Sequence, residues 1–183
     1  MTANEAPYDG KILEIKIKNI NQLFNSLDPS PFIEKDLDDD AVEYIFTYYG
    51  EFHLKTKIKM MIHLPESKRG KFNENHIKSS IKNFFVYRNM IANNNIILKI
   101  AEGKQSIFVG LGFLIMCLSL KYMISTYLVN NIFTIIASEA LMILGWVAMW
   151  KPINNILYDW WPLQLHKKLY EKISKSEIEF VYY

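Results

Sequence analysis

The chain has 183 residues, enough for one ordinary domain together with a membrane segment. Its formal net charge is only +2, so the charge of the whole chain does not mark it as a nucleic-acid-binding protein, and we expect no nucleic acid among its partners. The single cysteine, Cys117, excludes an intrachain disulfide and a cysteine-based metal cluster.

Two segments in the N-terminal half alternate between apolar and polar residues, which is typical of half-buried strands. They are residues 11–18 and 54–64. In the second segment Lys55, Lys57 and Lys59 occupy the polar face. These lysines could meet anionic lipid or a nucleic acid, but we favour a solvated strand face.

A helix is predicted between these strands, at residues 38–49, because apolar residues recur there at helical spacing. Four acids crowd its N-terminus: Asp36, Asp38, Asp39 and Asp40. They could bind Ca²⁺ or Mg²⁺, but the segment lacks the spacing and the glycine of an EF-hand loop. We favour helix capping and expect no metal.

A long helix is predicted after Asn73, whose side chain can cap the first turn. The three asparagines at residues 93–95 weaken this helix locally and are a possible hinge. The helix leads towards the most apolar part of the chain.

From residue 105 to residue 150 the only charged side chains are Lys121 and Glu139. At roughly 1.5 Å per residue this stretch is long enough to cross about 30 Å of hydrocarbon twice. Asn130 and Asn131 mark the turn, since asparagine tolerates turn geometry and is costly in lipid. The sequence therefore predicts a transmembrane hairpin with spans at about 105–127 and 132–150.

Basic residues flank the hairpin on the outer side of both spans, which predicts its orientation. They are Arg88, Lys99 and Lys104 before the first span, and Lys151, Lys167, Lys168 and Lys172 after the second. Only Lys121 lies near the turn, and it can snorkel to the interface. By the positive-inside rule we expect a multi-pass protein of the bacterial inner membrane with both termini cytoplasmic.

The segment after the hairpin has the composition of a membrane interface. Pro152 is expected to start an amphipathic stretch that Pro162 divides. Aromatic and basic candidates for contact with the lipid surface are Trp150, Trp160, Trp161, Lys167 and Lys168.

A third alternating segment, at residues 177–182, is expected to return to the N-terminal strands. Its acids Glu177 and Glu179 complement the lysines of those strands. The predicted fold is an α+β cytosolic domain with a three-stranded mixed sheet, interrupted by the hairpin. Residues 1–104 and 151–183 then form the domain, and residues 105–150 form the insertion.

Glu139 is the sharpest functional candidate, since an ionisable group within a membrane span is costly and often functional. One interpretation is an ion or proton site in an oligomeric pore. The other is a protonated, structural carboxyl group bonded to a hydroxyl of the first span, with four candidates: Ser119, Tyr122, Ser125 and Thr126. We favour the structural interpretation.

Small residues in both spans allow close helix approach, either within the hairpin or between copies of the chain. They are Gly110, Gly112, Ala137, Ser138, Ala140, Gly145 and Ala148. Both arrangements stay open at this point.

Three sequence features together resemble a family of small, uncharacterised bacterial proteins with two transmembrane helices. They are the segment LFNSLDPSPF at residues 23–32, the segment DLD at residues 36–38 and the segment YDWWP at residues 158–162. The resemblance covers most of the chain. It implies a bacterial origin and the two-span architecture, and it implies no reaction.

No catalytic, cofactor-binding or metal-ligand motif stands out, and we do not expect an enzyme. The favoured hypothesis is a membrane-anchored interaction or assembly protein, with the lipid bilayer, a second copy and a cytosolic protein as its partners. The alternative is a small oligomeric ion channel in which Glu139 lines or gates the path.

Overall fold

The computed structural model describes residues 10–31, 35–129 and 131–183. The helices and strands in chain order are β1 (Lys11–Lys16), a 3-10 turn (Ile20–Leu23), α1 (Asp39–Gly50), β2 (Ile58–Leu64), a second 3-10 turn (Glu66–Lys68), α2 (Glu74–Tyr127), α3 (Ile132–Leu157), α4 (Trp161–Ser174) and β3 (Glu177–Tyr182).

The chain divides into two compact units. The α/β unit comprises Met1–Ile91 and Leu165–Tyr183, and the helical unit comprises Ala92–Gln164. The α/β unit is therefore built from sequence on both sides of the helical unit.

Within the described residues the strands form one sheet in the order β1-β2-β3, and all of them are parallel. The C-terminal strand joins the N-terminal ones as the sequence predicts, but the prediction of a mixed sheet is wrong. A parallel pair needs a long crossover connection, and each connection here contains at least one helix. Alternating side chains predict a strand and a buried face, but they do not encode strand direction.

One face of this sheet carries the core of the α/β unit. In the central strand β2 every second residue is buried, from Ile58 to Leu64. Helices α1, α2 and α4 contribute buried apolar side chains to the same cluster, among them Ile45, Phe85 and Ile173. Helical and strand periodicities thus converge on one core, as they must when each element buries a single stripe.

The opposite face is polar, and it carries the predicted cross-strand charges. The Lys59 Nζ atom lies 2.9 Å from Glu179 Oε2 and 3.8 Å from Glu177 Oε1. Strand β2 begins at Ile58, so Lys55 and Lys57 precede the strand and do not belong to this face.

The predicted helix after Asn73 is confirmed, and its cap too, because the Asn73 side chain accepts hydrogen bonds from the backbone N–H groups of Asn75 and His76. Helix α2 is continuous through residues 93–95. The expected segment boundary at Pro152 is wrong, because α3 continues through this proline to Leu157.

In the part of the chain that the structure describes, two helices are long and apolar enough to cross a membrane. In the most apolar 18-residue segment of each, only 11% of the segment is buried inside the protein. They therefore differ from core helices of a soluble protein, whose apolar side chains would be covered.

Candidate functional site

Helices α2 and α3 carry one charged pair in their apolar part. The Lys121 Nζ atom lies 3.1 Å from Glu139 Oε1 and donates a hydrogen bond to it. The same ammonium lies 3.3 Å from the sulfur of Met142. The two side chains are 26% and 56% exposed within the protein.

Chain geometry brings these two side chains together. Asn131 caps α3, since its side chain accepts hydrogen bonds from the backbone N–H groups of Phe133 and Thr134. Lys121 lies about two helical turns before the end of α2, and Glu139 about two turns after the start of α3. Antiparallel helices joined by a short connection place such positions opposite each other.

The pairing identifies a partner for Glu139 that the sequence reasoning missed. The expected partner was a hydroxyl of the first span, and the structure places the Lys121 ammonium at the carboxylate instead. Lys121 was expected to snorkel away from the apolar region. The sequence did contain a signal for this pair, because Lys121 and Glu139 carry opposite charges at similar distances from the turn.

Glycines bring α2 and α3 into close contact elsewhere. A Cβ atom at Gly145 would lie 2.8 Å from Leu114 Cδ1 and 3.3 Å from Cys117 Cβ. A Cβ atom at Gly110 would lie 3.3 Å from the carbonyl oxygen of Ala148. Pro152, four residues after Ala148, has no N–H group to donate to that carbonyl, so the helical hydrogen bond is missing there. The Cα atom of Gly110 on the opposite helix packs close to this carbonyl.

The other small residues do not all take part in this packing. Ser138 is buried and Ala148 is half-buried, whereas Ala137 and Ala140 are exposed. A Cβ atom at Gly112 would meet nothing within 4 Å.

The aromatic candidates for a membrane interface lie at the end of the helical unit. Trp150 and Trp161 are largely exposed. The Trp160 indole donates a hydrogen bond of 2.7 Å to the Ile156 carbonyl and contacts the Trp161 ring edge-on, with centroids 6.1 Å apart. Their role at a lipid surface stays a prediction.

The basic candidates lie in the α/β unit, on α4. The backbone carbonyl of Lys167 accepts a hydrogen bond of 2.8 Å from the Asn89 side chain, which ties α4 to α2 within this unit. The Lys168 side chain is exposed.

The acidic cluster before α1 has the capping geometry that we favoured. The Asp38 carboxylate accepts a hydrogen bond of 3.1 Å from the backbone N–H of Asp40. Asp39 and Asp40 lie in the first turn, where carboxylates stabilise the helix dipole. Among the described residues no group of three or more His, Cys, Asp or Glu side chains is placed to hold a metal ion.

The segment at residues 23–32 forms a loop that Asp28 holds in place, as far as residue 31, where the described part of it ends. The Asp28 carboxylate accepts backbone N–H hydrogen bonds from Ser30, at 2.9 Å, and from Asp36, at 2.7 Å. These bonds lower the pKa of Asp28 from its ordinary value, the bond from Asp36 most strongly. Leu27 stands out from this loop with 88% of its surface exposed.

No family model, curated protein sequence or solved structure matches the chain. The resemblance to small bacterial two-span proteins therefore stays a prediction from the sequence.

Proposed function

We propose that this protein is a bacterial inner-membrane anchor that holds a small α/β domain at the cytoplasmic face, where the domain binds a partner protein. Helices α2 and α3 form the transmembrane hairpin, and the α/β unit is the functional part. The exposed apolar surface of these two helices supports the proposal, because lipid would cover it.

The observation that carries the proposal is that strands from both sides of the apolar helices pair in one sheet. Strands β1 and β2 precede the two apolar helices, and β3 follows them, yet all three pair in one sheet. Sequence on both sides of the hairpin must then lie on the same side of a membrane. Two crossings satisfy this requirement and a single crossing does not.

The distribution of lysines supports a cytoplasmic location for this sheet. The residues flanking the apolar stretch include Lys99, Lys104 and Lys151, whereas the only lysine near the turn is paired with Glu139. An ion pair carries no net charge, which leaves the turn side without a basic signal.

The channel hypothesis has less support. A carboxylate that lines an ion path must face the path, whereas Glu139 is engaged by Lys121 of its own chain. The pair is better suited to fixing the register of the two helices.

Membrane topology is the first test. In a Cys117→Ser background, a cysteine at Val129, which is 81% exposed beside the turn, should react with a membrane-impermeant maleimide in intact spheroplasts. A cysteine at Ser67, exposed in the α/β unit, should react only after lysis. The reverse pattern would place the domain outside the cell and contradict the proposal.

Partner binding is the second test. A photocrosslinking amino acid at exposed Tyr44 on α1, or at Leu27, should give discrete protein adducts in native membranes. The same group at Phe108, exposed on the apolar part of α2, is the matched control and should give lipid adducts only. A domain that gives no protein adduct from either position would count against an interaction role.

A further inference from the structure

The α/β unit contains a cleft of about 580 Å³ between the segment that leads into β2 and the second half of α4. Lysines from both elements line it: Lys55 and Lys57 before β2, and Lys168, Lys172 and Lys175 on and after α4. This volume lies within the range of about 300–1,000 Å³ that is usual for small-molecule sites. The cleft belongs wholly to the α/β unit and does not depend on the membrane assignment.

Five lysines and two glutamates line the cleft, and the glutamates are already paired. Glu171 Oε1 lies 2.6 Å from Lys175 Nζ. Glu177 lies 3.8 Å from Lys59, on the polar sheet face. Within the residues described, Lys55, Lys57 and Lys168 form no ion pair, and the five lysines outnumber the two glutamates of the cleft by three.

The remaining lysine is held inside the cleft. Lys172 donates a hydrogen bond of 3.1 Å to the backbone carbonyl of His53, and its ammonium lies 5.6 Å from the centre of the Tyr49 ring. Partial burial lowers the pKa of Lys172, because its charge has lost part of its hydration. An anion in the cleft would restore favourable electrostatics to this group.

The cleft is not uniformly polar. Leu54, which is half-buried, adds apolar surface beside the ammonium groups, and Thr56 adds a hydroxyl. A bare inorganic ion would leave this apolar surface in water, whereas an organic anion would cover it.

We infer that this cleft binds an organic phosphate, with the lysine ammonium groups around the phosphate and the apolar wall against the organic part. Lysine is a point-charge donor well suited to phosphate oxygens, and several lysines together neutralise a multiply charged group. A soluble phosphate ester and a phospholipid headgroup share this chemistry.

The test uses the full chain in nanodiscs of neutral phosphatidylcholine, with inorganic pyrophosphate as the soluble probe and isothermal titration as the readout. Wild type should bind pyrophosphate saturably. The double variant Lys57→Gln/Lys168→Gln should bind it about tenfold or more weakly, because two positive charges of the cleft are lost. The matched control Lys18→Gln/Lys71→Gln changes two exposed lysines outside the cleft lining and should keep affinity within about twofold.

A variant that is expected to increase affinity controls for misfolding, because a misfolded protein would not bind more tightly. Glu171→Gln frees the Lys175 ammonium, so pyrophosphate should bind more tightly than in wild type. Equal affinity in all four proteins, or binding that does not saturate, would overturn the inference.

A second arm distinguishes the two sources of phosphate. Nanodiscs that contain phosphatidylinositol 4-phosphate should weaken pyrophosphate binding to wild type if the cleft takes lipid headgroups, since the two phosphates then compete. Unchanged affinity in these nanodiscs would assign the cleft to a soluble phosphate ester.

Discussion

The α/β unit and the helical unit use apolar side chains in opposite ways. Phe85 in the α/β unit is fully buried, whereas Phe108, further along the same helix, is 77% exposed. Met60 and Ile62 of the sheet are also fully buried, whereas Trp146 and Val147 of α3 are exposed. One unit forms its own core, and the other has an apolar surface that needs a solvent other than water.

The two units therefore differ in the burial of their apolar side chains more than in their amino-acid composition. Apolar side chains are abundant in both units, but among the described residues it is those of the α/β unit that form a large buried cluster. Variants that affect one unit and spare the other therefore test the division directly. All four tryptophans lie in the helical unit, so their fluorescence reports on that unit alone.

The largest expected effect comes from removing the strand that the hairpin separates from its partners. Deletion of residues 177–183 removes β3, including buried Ile178, from the edge of β2. The α/β unit should then lose protection of its β2 amides in hydrogen exchange, while tryptophan fluorescence of the helical unit stays unchanged.

The control for this deletion keeps the strand and removes only its charges. Glu177→Gln/Glu179→Gln breaks the ion pairs with Lys59 and should lower the free energy of unfolding by about 0.2–1 kcal/mol. Full amide protection in the deletion variant would show that β3 is dispensable for the α/β fold.

A matched pair of phenylalanine variants tests the difference between the two units at single residues. Phe85→Ala should lower the free energy of unfolding of the α/β unit by about 3–5 kcal/mol, because it leaves a cavity in the core. Phe108→Ala should leave that free energy nearly unchanged, since its ring contacts no core. Denaturant unfolding in nanodiscs, followed by hydrogen exchange at β2, measures both, and equal losses would contradict the division into two units.

The charged pair of the helical unit is expected to have the next largest effect. Either Lys121→Met or Glu139→Met leaves one charge unpaired among apolar side chains, at a cost of up to about 2.5–3.5 kcal/mol, the value for a charge at the centre of a bilayer. The double variant should recover most of this free energy, because no unpaired charge is left. Unfolding of the helical unit, followed by tryptophan fluorescence, measures the coupling.

Additive losses in this double-mutant cycle would contradict a structural pair and would direct attention back to Glu139 as a group that acts alone. The mass of the protein in nanodiscs gives an independent check. We expect a monomer or dimer, and a closed assembly of four or more chains would revive the channel hypothesis.

The sequence predicted much of this architecture because periodicity is a local signal. Strands β1 and β3, helix α1 and the start of α2 all follow apolar spacing that can be counted along the chain. Sheet direction was mispredicted because it depends on the path of the connections, which side-chain alternation does not encode. Pro152 was misread as a boundary because helix packing can compensate for its missing N–H group.

The sites were harder to predict than the elements. The link between Lys121 and Glu139 was missed because each charge was interpreted separately. The cleft brings Lys57 together with Lys168, which is distant in sequence, and no spacing rule contains that proximity. Such clusters follow from the fold and become visible only when the strands and α4 are packed.

The smallest expected effect concerns the loop that Asp28 holds in place. This loop lies in the α/β unit, so its pH dependence should affect the stability of that unit alone. Backbone hydrogen bonds from Asp36 and Ser30 hold the pKa of Asp28 below its ordinary value near 3.8. A lowered pKa means that the folded state favours the charged form. The stabilisation is therefore present above the unfolded-state pKa and is lost as the pH falls through the folded-state pKa.

Asp28→Asn should accordingly lower the melting temperature of the α/β unit at pH 7, and the difference from wild type should shrink as the solution is acidified below pH 4. Glu43→Gln, an exposed position on α1, is the matched control and should change the melting temperature little at either pH. A difference for Asp28→Asn that stays constant down to pH 2 would mean that the loop depends on the shape of this side chain and not on its charge.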